Sequence, residues 1–137
     1  MTTRVVERDL LIVACAVSAG IHAALTPDHF REDAGAGAGF LGATALLGGL
    51  CVALTRRPQS RTPVTAAAVA LAGLLAAYAL AVTTGVPLLQ PSPEPADAVG
   101  LATKAIELVG LVTALDLLAH GRSVVRLTRL RPKGTMT

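Results

Sequence analysis

The sequence predicts an all-α fold: an integral membrane four-helix bundle, up-down-up-down, forming a single membrane domain with both termini in the cytoplasm. Three observations predict it. The 137-residue chain is 53% hydrophobic yet only 2% aromatic, with mean hydropathy +0.61, a balance that a soluble core of this size does not use. Its Ala, Leu, Val and Gly residues gather into four long apolar runs rather than amphipathic periods. The basic residues are segregated as well. Arg4, Arg8, Arg56, Arg57, Arg61, Arg122, Arg126, Arg129, Arg131 and Lys133 fall on one side of the runs, only Arg31 lies in a loop on the other, and Lys104 sits inside the fourth run. This is the positive-inside pattern, and it assigns the chain to the plasma membrane as a multi-pass protein.

The first span is expected at about 10–26, after a short charged leader containing Arg4, Glu7, Arg8 and Asp9. Only a brief apolar segment precedes Cys15, too little for the roughly 7–15-residue apolar region of a signal peptide, so the run reads as a transmembrane helix. The second span, about 38–55, follows Gly35-Ala36-Gly37-Ala38-Gly39 and stops at Arg56-Arg57-Pro58. The link from Pro58 to Pro63 has room only for a tight antiparallel turn. The third span, about 64–84, ends at Gly85-Val86-Pro87. Pro91, Pro93 and Pro95 alternate through 88–96, which predicts extended chain. The fourth span, about 97–119, opens on Asp97, whose carboxylate suits a helix N-terminus. A tail at 120–137 alternates Val124, Val125, Leu127 and Leu130 with Arg122, Arg126 and Arg129, side chains suited to anionic lipid headgroups.

Small-xxx-small pairs at Ala16/Gly20, Thr44/Gly48, Ala45/Gly49, Gly73/Ala77 and Gly110/Ala114 predict close helix packing, within the bundle, in a homo-oligomer or against a membrane protein partner. Cys15 and Cys51 both lie inside apolar runs and read as small buried hydrophobes.

The chemistry gathers at the outer ends of the spans. Thr26-Pro27-Asp28 reads as the start of a separate short helix, Thr as N-cap and Pro at its first position, placing His29 and Glu32 on one face. His22, Tyr78, Lys104 and Glu107 lie in the outer half of the membrane. Lys104 and Glu107 are three apart and predict an intramembrane ion pair, because a lone charge near the bilayer centre costs at least ~2.5–3.5 kcal/mol. His22, His29, Glu32 and Glu107 form the candidate polar or metal site, offering the imidazole and carboxylate ligands of a divalent metal.

Several classes are excluded by motif. The sequence has no CxxC, no paired Glu-x-x-His, no Gly-rich phosphate loop, no nucleophile elbow and no candidate triad. A bis-histidine haem needs two intramembrane histidines, and only His22 qualifies. No aromatic residues interleave the basic tail, so nucleic acid is not a predicted partner. The expected function is therefore a non-catalytic membrane accessory or assembly subunit with a polar, candidate metal-binding site at its outer face. The alternatives are a small proton- or ion-coupled transporter using Glu107 and Lys104, and a metal- or quinone-handling redox or maturation factor.

Gly20-x-His22-Ala23-x-Leu25-x-Pro27-x-His29-Phe30-x-Glu32, followed by Gly39-Phe40, Gly85-Val86-Pro87, Glu94-Pro95 and a fourth span carrying Glu107, form an ordered set. It resembles a group of small four-helix membrane proteins of high-GC Gram-positive (actinobacterial) bacteria, over roughly residues 18–110. The resemblance implies the four-helix layout and marks His22, His29, Glu32 and Glu107. It carries no activity with it.

Overall fold

The computed structural model describes residues 3–86, 92–93 and 95–129, with side chains as far as His120. Four helices follow one another: α1 (Thr3–Glu32), α2 (Ala34–Arg56), α3 (Thr62–Thr83) and α4 (Ala98–Arg129). All four are long and apolar enough to cross a membrane. Helix α1 packs on α2 and α4, and α3 packs on α4 and, most thinly, on α2, so α1 lies diagonally across from α3. One end of the bundle holds the α1–α2 connection and is called here the Asp33 end. The other holds the α2–α3 turn and is called the Arg57 end.

The sequence places the spans but shortens three of them. Helix α1 begins at Thr3 rather than near residue 10, α2 at Ala34 rather than 38, and α4 runs on to Arg129 rather than ending near 119. The added turns of α1 and α4 are helical but polar, and that of α2 is alanine and glycine, so each falls outside its apolar run while continuing the same backbone. Arg122, Arg126 and Arg129 lie on this helical extension, and their side chains fall outside the described residues. Most of the proline-rich connection, including Pro91 and Glu94, also lies outside them.

Pro27 does not break α1, and Thr26 is not an N-cap. The helix runs through both residues to Glu32. Pro27 removes one backbone donor, but neighbouring side chains take up carbonyls on this stretch. Thr26 Oγ1 donates to His22 O at 2.7 Å, and His29 Nδ1 lies 2.9 Å from Leu25 O. The His29 ring then stacks on Phe40 of α2, with centroids 3.7 Å apart, fixing the last turn of α1. The N-cap belongs to Asp33, one residue after α1, whose Oδ1 accepts from Gly35 N at 2.7 Å and Ala36 N at 3.0 Å. This cap lets the glycine-rich segment enter α2 as helix. Asp33→Ala is expected to cost about 1 kcal/mol and to fray 34–38 first, seen as faster amide exchange confined to that turn.

At the opposite ends of α2 and α3, different devices stop the helices. Arg8 of α1 reaches across to the C-terminus of α2, donating Nη2 to Leu54 O at 2.9 Å and to Arg57 O at 2.7 Å, and Nε to Leu54 O at 3.2 Å. These carbonyls lack helical partners, so a cation is well placed there. Helix α3 closes on Gly85, which takes φ 79° and donates its N–H to Leu80 O at 2.8 Å.

The core is apolar from mid-bundle to the Arg57 end. Leu11, Cys15, Leu47, Leu54, Leu71 and Ala114 are fully buried, and Cys51 packs against them, its thiol donating to Ile12 O at 3.6 Å. Both cysteines are free. Of the small-residue pairs, Gly110/Ala114 is buried in the bundle. Ala16/Gly20, Ala45/Gly49 and Gly73/Ala77 lie exposed on the outer surface, with nothing packed within 4 Å of an added Cβ at Gly20, Gly49 or Gly73. Exposed Val13, Val69, Leu101 and Val112 share that surface, the composition of a lipid-facing exterior.

Candidate functional site

Polar side chains from α1 and α4 meet halfway to the Asp33 end. Glu107 is completely buried and is the centre of the group. Its Oε2 accepts from Lys104 Nζ at 2.6 Å, one turn earlier on α4. Its Oε1 accepts from Ser18 Oγ at 2.7 Å, across the α1–α4 interface. His22 lies one turn beyond Ser18, with Nε2 4.0 Å from Glu107 Oε1 and Nδ1 2.9 Å from Ser18 O. The predicted Lys104–Glu107 pair is therefore present, and the carboxylate has a partner on each oxygen.

Ser18 is the functional residue that spacing did not single out. It sits four residues before His22 in an otherwise apolar run, so its position on the His22 face was the available signal. Ser18, His22 and Glu107 are the residue types of a nucleophilic relay, but their connections differ from one. The Ser18 hydroxyl donates its hydrogen bond to Glu107 Oε1, and its nearest imidazole nitrogen, His22 Nδ1 at 3.4 Å, is engaged by the Ser18 carbonyl.

Above this cluster lies a cavity of about 170 Å³, lined by all four helices and reaching Val86 and Asp97. His22, His29, Phe40, Tyr78 and Lys104 contribute to its wall. A carbonyl only accepts, so in each neutral imidazole Nδ1 carries the proton: His22 donates to Ser18 O and His29 to Leu25 O. Each Nε2 is left as a lone pair. Lys104 Nζ lies 5.5 Å from the Tyr78 ring centroid, within cation–π reach. The Tyr78 hydroxyl is buried against Gly100, where an added Cβ would stand 3.1 Å from it, and has no hydrogen-bond partner among the described residues.

Glu32 is exposed and does not line this cavity, so the structure brings together three of the four candidate residues around the cavity and its floor. Among the described residues, no three His, Cys, Asp or Glu side chains converge as a metal-holding group. Phe40 stands between the imidazoles, stacked on His29 and 5.2 Å from His22.

No family model, curated protein or solved structure matches the chain. The chemistry of the cavity is thus the guide to its use. The wall combines a cation, two imidazole acceptors and a phenol on a mainly apolar surface, the usual make-up of a small-molecule site.

Proposed function

We propose that this multi-pass membrane protein is a non-catalytic accessory subunit of the plasma membrane, with the Arg57 end in the cytoplasm, and that its Asp33-end cavity binds a small polar-headed ligand. The observation that carries the reading is the Tyr78 hydroxyl. Among the described residues this buried hydroxyl has no partner, which costs about 1–3 kcal/mol, and a small shift of the side chain toward the cavity would let a ligand oxygen or nitrogen remove that cost. His22, His29 and Lys104 line the same cavity, and their imidazoles and ammonium would read the rest of the head. Gly39 of α2 and Ala77 of α3 are exposed on the bundle surface and also line the cavity, at the thinnest helix interface. That favours a ligand dissolved in the membrane, entering sideways. The exposed Ala45/Gly49 and Gly73/Ala77 faces suit docking on a larger membrane protein.

The packing below Glu107 supports binding over passage. Leu11, Leu47, Leu54 and Leu71 fill the bundle from there toward the Arg57 end with no exposed surface, leaving the Lys104–Glu107 pair at the floor of a blind cavity. A second reading is favoured by one observation: both imidazoles are anchored through Nδ1 on backbone carbonyls, as metal-ligating histidines usually are. The Lys104 ammonium in the same wall opposes a bound cation.

Organic extraction of the purified protein followed by mass spectrometry tests the proposal, with elemental analysis on the same sample. A compound is expected to co-purify with wild type and to fall several-fold in Tyr78→Phe, while that variant melts at the same temperature or higher once stripped. Wild type free of any compound would count against a ligand site. Stoichiometric metal lost in His22→Ala and His29→Ala would replace this reading with the metal one.

A further inference from the structure

We infer that the Arg57 end carries a separate seat for one anionic phospholipid, its phosphodiester held between the start of α1, the α2–α3 turn and α4. A second cavity lies there, with a volume of about 480 Å³. Arg4 and Arg8 of α1 and Arg61 of the turn line it, against a single carboxylate, Asp9. Arg8 is not free to swing, because Nε and Nη2 are spent on the Leu54 and Arg57 carbonyls, and this leaves the two N–H groups of Nη1 unassigned. Arg4 makes one long contact, Nη2 to His120 O at 3.4 Å, and Arg61 has no side-chain partner among the described residues. The first turn of α3 borders the same space, with no acidic residue and only the Ser60 hydroxyl, 3.3 Å from Thr62 N, on its N–H groups, so its partial positive charge adds to the guanidiniums.

The lining decides between a lipid and a free anion. Ile12, Leu54, Val64 and Leu117 form its apolar part, so the cavity straddles the level where the apolar spans give way to arginines. A phosphodiester tethered to two chains satisfies both halves, whereas inorganic phosphate satisfies only the arginines. The seat is built from Arg4, Arg8 and Arg61 in a shaped cavity rather than as a diffuse charge.

Native mass spectrometry of the full chain released from detergent, titrated with phosphatidylglycerol or phosphatidylcholine, tests it. Wild type is expected to retain one phosphatidylglycerol with about thirtyfold preference, the effect of two basic side chains beside a headgroup. Arg4→Gln/Arg61→Gln should lower that preference to within about twofold while remaining monodisperse and melting as wild type does, since neither residue closes a helix. Arg122→Gln/Arg126→Gln/Arg129→Gln should keep it. Equal retention of the two lipids by wild type would overturn the inference, as would a preference surviving in the double variant or vanishing only in the triple one. Displacement of the lipid by millimolar inorganic phosphate would overturn the choice of a lipid over a free anion.

Discussion

Lys104→Met is expected to be the most damaging single change in the polar cluster, costing about 3–5 kcal/mol. It leaves the Glu107 carboxylate, which has no exposed surface, with only the Ser18 hydroxyl as partner. The reciprocal change should cost less. Lys104 keeps 14% of its side chain exposed and lines the cavity, so in Glu107→Leu its ammonium can extend toward the Asp33 end while its stem stays packed. Removing both charges, in Lys104→Met/Glu107→Leu, should restore stability to near wild type or raise it by roughly 1–4 kcal/mol, because the pair's attraction only offsets what burying two ions costs. Equilibrium unfolding in mixed micelles measures all four corners of the cycle. A double variant as unstable as Lys104→Met would mean that the pair is a net stabiliser of the bundle. If it folds as expected, the double variant is also an intact bundle whose cavity lacks only its cation, a control for the Lys104 contact in ligand retention.

That asymmetry between the two partners was not visible in the sequence, although the pair was. Spacing of three on a helix is enough to bring Lys104 to Glu107, and the cost of a lone intramembrane charge is enough to require it. The spans were legible for the same reason: lipid imposes a long apolar run whatever the helix packs against. What failed were the ends, where no solvent rule separates a polar helix from a loop. Thr26-Pro27-Asp28 satisfies every local criterion of a helix start, yet the His29–Phe40 stack and a one-residue link to α2 hold the chain in α1. Gly35–Gly39 has poor helix propensity, and the Asp33 carboxylate, presented by the end of α1, overrides it. Ser18 and the Tyr78 hydroxyl escaped because their roles exist only across helix interfaces. Tyr78 is legible in the sequence as a polar position, but the hydroxyl's lack of a partner among the described residues is a property of the cavity. Glu32 shares a helix face with His29 but sits on the outside of it, since helical spacing fixes neighbours and not which way the face turns.

Gly110 is where that last point becomes a measurement. Sequence spacing ranks Gly110, Gly49 and Gly73 alike as members of small-xxx-small pairs, whereas their surroundings differ completely. A Cβ at Gly110 would stand 3.0 Å from Ala14 Cβ and 3.0 Å from Leu71 Cδ1, so α4 touches α1 and α3 together at this residue. Gly110→Ala gains up to about 1 kcal/mol of helix propensity and gives much of it back in crowding against the Ala14 methyl, which cannot rotate away. It should be nearly neutral. Gly110→Leu adds three further carbons to the same point, and overpacking of roughly 1–3 kcal/mol is the lower bound, since relief requires α4 to move away from α1. Glu107 lies three residues away, about 4.5 Å along the helix axis, so the displacement should also break the 2.7 Å bond to Ser18. A Cβ at Gly49 or Gly73 meets nothing within 4 Å, and both residues are exposed, so Gly49→Leu and Gly73→Leu should leave the isolated bundle as stable as wild type. Unfolding of the purified monomer separates the sites: Gly110→Leu must fall well below the other two. Association with a partner or a second copy, followed by crosslinking in native membranes, should show the reverse order, with Gly49→Leu or Gly73→Leu losing the complex while keeping the fold. Equal unfolding of all three leucine variants would mean that the exposed glycine faces are part of the bundle's own packing, and that the helices are arranged differently from the ring of α1, α2, α3 and α4 described above.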